Sequence, residues 1–139
     1  MTTEFRPCIV VDTNVIVSGI LFESSVPRDV LTHALNDYLL VFSDRTWDEL
    51  SLVMQRPKFD RYFNLEKRLL ALTNLASTIK LIKSKTVISD CRDPKDNKFL
   101  ALAIDTDAKI IITGDHDLLV MHPYKGIHVC TPAEFLRGK

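Results

Sequence analysis

Cysteine is scarce in this chain and forms no motif. Cys8, Cys91 and Cys130 are odd in number and widely spaced, with no C-x-x-C pair. That excludes a disulfide framework and a zinc knuckle, and fits reduced thiols in a cytoplasmic protein. Net charge is also missing. Eighteen Lys and Arg balance eighteen Asp and Glu, so the overall charge argues neither for nor against a nucleic-acid partner. No apolar run is long enough to span a bilayer. The opening residues MTTEFRPCIVVDTN lack the charged-then-apolar order of a secretory signal. No membrane role is therefore expected. Four glycines and six prolines are too few for a low-complexity chain, and no internal repeat is present. What remains is an ordinary globular composition, 46% hydrophobic and 26% charged. Its 139 residues suit one domain, 1–139, with its own core.

The hydrophobic pattern alternates between short runs and helical stripes. Cys8–Val11 is a β-branched run that stops at Asp12. Residues Pro27–Asp37 have helical spacing, and Tyr38–Phe42 reads as a second strand. Ser43 or Asp44 caps a helix through Gln55, which Arg56-Pro57 ends. A longer helix is expected from Asn64 to about Lys80, with Leu65, Leu69, Leu72, Ala76 and Ile79 on its apolar stripe. A short extended piece is expected near Thr86–Ile88. Asp93-Pro94 opens a helix to about Thr106, Lys109–Thr113 is a strand, and Ile127–Cys130 is the last strand before a terminal helix after Thr131-Pro132. Strands alternating with helices imply a three-layer α/β/α sandwich around a mainly parallel sheet.

In such sheets ligands sit beyond the carboxyl ends of the strands. Asp12 follows the first strand directly, and Asp115 follows the KIIIT strand after one glycine. Asp96 lies three, four and seven residues before Phe99, Leu100 and Ala103, on the inward face of its helix and one turn above the packed stripe. An acid there points into the cleft at the sheet edge. Glu49 lies off the apolar stripe of its helix, so spacing alone leaves it either in solvent or at the cleft rim. GDHD offers Asp115 and Asp117, and DPKD offers Asp93 and Asp96. Position favours Asp115 and Asp96, while Asp93 before Pro94 also suits a helix cap. Clustered carboxylates need a compensating cation. No His or Cys shares a metal-binding spacing with them, so oxygen-preferring Mg2+ or Mn2+ is expected, able to activate water and neutralise a phosphate.

The segments VVDTNVIVSG (10–19), DEL (48–50), RDPKDNKFLALA (92–103) and TGDHDLL (113–119) together resemble the PIN-domain nucleases. The likeness is strongest to the VapC-like toxin components of prokaryotic toxin–antitoxin systems, and it runs over nearly the whole chain in order. It implies the same α/β/α fold, Mg2+ or Mn2+, endoribonuclease activity on RNA, an antitoxin protein as partner, and a homodimer. It maps the family's acids to Asp12, Glu49, Asp96 and Asp115, with Asp93 and Asp117 as further ligands. Thr13 and Asn14 match the polar positions that hold ligands or water by hydrogen bonds. Asn14 also reads as a plain helix cap.

Arg92, Lys95 and Lys98 adjoin Asp93 and Asp96 and are expected to contact RNA phosphate. Eight basic residues against two acids lie between Arg56 and Lys85. They read equally as a solvated helix face or as a phosphate-tracking surface. Two other functions share the acid logic. One is a flap-type DNA nuclease or phosphatase. The other is a catalytically silent domain that binds RNA or protein.

Overall fold

The computed structural model describes residues 5–138. The expected domain limits, 1–139, reach past these at both ends, and the terminal residues lie outside the described ones. The described residues hold five strands in one sheet, ordered β3-β2-β1-β4-β5, all parallel. They are β1 (Cys8–Val11), β2 (Leu39–Ser43), β3 (Lys80–Ile82), β4 (Ile110–Ile112) and β5 (His128–Cys130). The helices are α1 (Thr13–Leu21), α2 (Val26–Asp37), α3 (Asp44–Met54), α4 (Leu65–Ala76), α5 (Asn97–Thr106), α6 (His116–Leu119) and α7 (Pro132–Arg137).

Side chains alternate across each strand, and the two faces have separate cores. Ile9, Val11, Leu40, Phe42 and Ile112 pack with α1–α4 and α7. Val10, Val41, Ile111 and Val129 pack under α5 with Phe99, Leu100 and Leu102. Both faces are covered, as the continuous apolar strands demand.

The order places β1 at the centre. The chain steps outward from β1 to β2 and β3, then returns to β4 on β1's other side. The gap beyond the ends of β1 and β4 is the topological switch point, where open α/β sheets bind ligands. Register brings Val11 level with Ile112, so Asp12 and Thr113 leave the sheet side by side.

Three elements differ from the sequence-based expectation. Helix α1 occupies β-branched residues to which the hydrophobic pattern assigned no element, Asn14 alone having read as a helix cap. Asp12 starts it, its carboxylate accepting the Asn14 amide. Gly19 lets α2 approach, since a Cβ there would lie 2.9 Å from the Pro27 carbonyl oxygen. The third strand is Lys80–Ile82, not the Thr86–Ile88 stretch. Finally, α4 is rotated. Leu65 and Leu69 are 42% and 41% exposed, while Arg68, Leu72 and Leu75 are buried.

Arg68 explains the rotation. It is 1% exposed and closes the α3–α4 corner. Its Nε donates to the Met54 carbonyl at 2.7 Å, and its Nη1 donates to the Phe63 carbonyl at 2.6 Å and to Asp60 Oδ1 at 3.0 Å. One member of the basic 56–85 run is therefore a structural bolt and not a surface charge. Arg68→Ala would leave the Met54 and Phe63 carbonyls without their donor and remove a large buried side chain, a loss of about 3 kcal/mol. Urea denaturation measures this; a loss under about 0.5 kcal/mol, the ordinary surface value, would contradict the assignment.

Candidate active site

Four carboxylates meet at the switch point. Asp12 ends β1, and Asp115 caps α6, accepting the Asp117 amide at 2.9 Å. Asp93 caps the 3-10 turn Pro94–Asp96, accepting the Lys95 amide at 3.0 Å. Asp96 closes that turn just ahead of α5. Its place is one short turn earlier in the helix than the spacing suggests, and its side chain still faces inward. Oxygens of Asp93, Asp96 and Asp115 lie within 4.8 Å of one another. Asp12 lines the same cleft, of about 190 Å³, with Thr13, Asn14 and Arg56.

Two of the four acids are buried, Asp93 and Asp115 are half-buried, and the cluster lacks ion-paired counter-charges. Asp12 is 6% and Asp96 7% exposed. Among the described residues, none of the four acids forms an ion pair with Lys or Arg. Burial raises the Asp12 pKa, although the Thr113 hydroxyl, donating to Oδ2 at 2.6 Å, works against the shift. Asp96 is pushed up to about 7, first by desolvation and then by Asp115, Asp93 and Asp12. Its Oδ2 is buried without a hydrogen-bond partner. Such an oxygen needs either a proton, shared with Asp115, or a cation. A hard divalent ion fits this all-oxygen donor set, with Asp96, Asp115 and Asp93 able to hold it and Asp12 beside them.

Of the other expected site residues, Thr13, Asn14, Glu49 and Lys95 line the cleft. Glu49 reaches the cleft, but its carboxylate is engaged twice. Lys98 Nζ lies 3.0 Å from Oε2, and the Thr13 hydroxyl donates to Oε1. Lys98 thus serves Glu49 before any phosphate. Asp117 contributes its backbone, its amide to Asp115 and its carbonyl to the Cys91 thiol; its carboxylate is outside the three-acid group. Asn14 sits in the first turn of α1, and the cap there is Asp12. Arg92 is exposed, and Lys95 lines the cleft.

Sequence reasoning missed Thr113. This wholly buried hydroxyl donates to Asp12 and accepts the Asp115 amide at 2.9 Å. It ties the two acids to the ends of adjacent strands. The signal was present: a polar residue closing an apolar strand, one step from a glycine.

The chain matches the PIN domain over residues 8–117, and it belongs to the PIN-domain family of nucleases. It is 33% identical over 138 residues to the uncharacterized protein MJ1680 of Methanocaldococcus jannaschii, covering 92% of this chain and 88% of that protein. Its fold is similar to a chain in the crystal structure of VapBC2 from Rickettsia felis bound to a DNA fragment from their promoter. There the TM-score is 0.61 at 13% identity, over 89% of this chain and 98% of that one.

The raised Asp96 pKa predicts a pH signature. A group protonated more readily when folded contributes stability below its unfolded pKa, near 4, and loses it as pH rises through about 7. Without divalent ions, the stability of the native chain relative to Asp96→Asn should therefore fall from pH 4 to 8. Thermal melts across that range measure the difference, and a flat or rising difference would contradict the buried, uncompensated acid.

Proposed function

We propose that the chain is a metal-dependent endoribonuclease and the toxin half of a toxin–antitoxin pair. The observation that carries the catalytic reading is the buried, unpartnered oxygen of Asp96 amid Asp12, Asp93 and Asp115. Family membership supports phosphodiester cleavage. The fold shared with the VapBC2 structure supports an antitoxin protein as partner.

Asp96, Asp115, Asp93 and Asp12 would hold Mg2+ or Mn2+. When bound, the ion supplies charge neutralisation at the phosphate and activation of an attacking water. The residues around it hold the geometry. Thr113 fixes Asp12 and the start of α6. Thr13 and Lys98 hold Glu49 at the rim, where it orients water or binds a second ion. Lys95 and Arg56 line the cleft and give the phosphate a positive approach. Water adds to phosphorus in line as the bond to the leaving oxygen breaks, with no covalent protein intermediate.

A panel of single-stranded RNA, duplex RNA, flapped DNA and small phosphate esters tests this reading. RNA should be cut with Mg2+ or Mn2+ and spared with EDTA. Asp12→Asn and Asp96→Asn should each lower the rate on the order of a hundredfold or more, the scale of one preorganised electrostatic element, with melting showing folded protein. Undiminished cleavage in both variants overturns the site assignment, and cleavage confined to DNA or small esters overturns the substrate.

Thr113→Val removes the donor to Asp12 and keeps the shape. Cleavage should fall roughly tenfold, the lower end of second-shell losses, with more Mn2+ needed for half-maximal rate. An unchanged Mn2+ requirement would show that Thr113 does not position the ligand.

A further inference from the structure

The acid cleft adjoins a second groove of opposite charge. Lys95 lines both. The second groove, of about 270 Å³, runs between the first turns of α3 and α5 and the extended segment 84–88. Arg45, Lys95 and Lys98 line it, with Ser84, Thr86 and Asn97, and no carboxylate does. Two acids beside the 84–88 segment are turned onto the backbone of the wall. Asp44 accepts the Ser84 amide at 2.9 Å, and Asp105 accepts the Lys85 amide at 2.9 Å and both the amide and hydroxyl of Thr86. The wall is thus preformed.

Two of the three cations are available. Lys98 is paired with Glu49. Among the described residues neither Arg45 nor Lys95 forms an ion pair. Arg45 also breaks a local rule. It lies in the first turn of α3, where the helix dipole disfavours a positive charge, and such unexplained departures concentrate at functional positions. The cleft's other flank differs. A groove bounded by Asn14, Ser18, Pro27 and Gly114 shares Asp12 and Asp115 with the cleft and has no cation. Arg56 and Lys95 line the acid cleft, the Arg45–Lys95 groove extends that positive charge, and the Asn14–Ser18 flank carries none.

We infer that the Arg45–Lys95 groove is the substrate's anchoring site: it holds a backbone phosphate of single-stranded RNA to one side of the scissile bond. This rests on the ribonuclease reading for the substrate class. A groove of about 270 Å³ has room for a nucleotide-sized piece of one strand.

The test measures binding by anisotropy of a fluorescent single-stranded RNA 12-mer on Asp12→Asn protein in Mg2+. Arg45→Ala and Lys95→Ala should each weaken binding about five- to tenfold and reduce the salt slope by about 0.7, the value for one phosphate contact on a single strand. Trimming the RNA from one end should cost affinity in the parent, and far less in Arg45→Ala. Lys109→Ala, at the opposite edge of the sheet and paired with Asp107 at 3.1 Å, should bind as the parent does. Both groove residues are exposed, so melting should be unchanged. Parental affinity in both groove variants overturns the inference, as does duplex RNA binding equally tightly through the same residues. Failure of the unsubstituted chain to cut RNA counts against the ribonuclease reading alone, because the groove is read by binding.

Discussion

Four carboxylates from three stretches of chain are delivered to one cleft, two of them buried, and among the described residues none is paired with Lys or Arg. Like charges at this spacing repel, and burial removes the water that would screen them. The fold imposes the meeting. Parallel strands β1 and β4 end level with each other, so the residues that follow them, Asp12 and Thr113 to Asp115, leave the sheet together. The turn before α5 then brings Asp93 and Asp96 down from the covering layer. Three of the acids have a local reason to be there: Asp12, Asp93 and Asp115 each accept a backbone amide at a helical start. Asp96 has none, and it is the one with the orphaned oxygen.

Around this negative floor the charges are sorted. Glu49 is the acid that does have a cation, and its ion pair with Lys98 forms the rim between α3 and α5. Past that rim, Asp44 and Asp105 are occupied with loop amides, and the cations face the groove. Acid floor, neutralised rim and basic flank follow one another across a short distance. A polyanion held by a cation at the floor and by fixed charge at the flank would be positioned at two points, and positioning is a large part of what a hydrolytic site contributes.

Much of this was legible in the residues. Strands β1 and β4 are apolar runs, with Asp12 directly after one and Asp115 shortly after the other, so the sheet edge carrying both could be read directly. Asp96 betrayed itself by sharing the face of Phe99, Leu100 and Ala103. The failures have common causes. Helix α1 is rich in β-branched residues, whose weak helical propensity is overridden by packing against α2. In α4, two overlapping stripes were available, and the choice between them depended on a buried arginine that looks like a surface charge in sequence. Long-range polar pairs left no local trace: Thr113 with Asp12, Lys98 with Glu49, and Asp60 with Arg68 join positions whose proximity only the fold creates.

The account stands on the acids requiring a hard cation. The most direct measurement is a crystal structure of the native chain soaked in manganese, read by anomalous scattering. The account predicts a peak among the carboxylates of Asp93, Asp96 and Asp115, beside Asp12. A cleft free of anomalous signal at millimolar manganese, with a lysine or arginine side chain inserted among the four carboxylates instead, would contradict it.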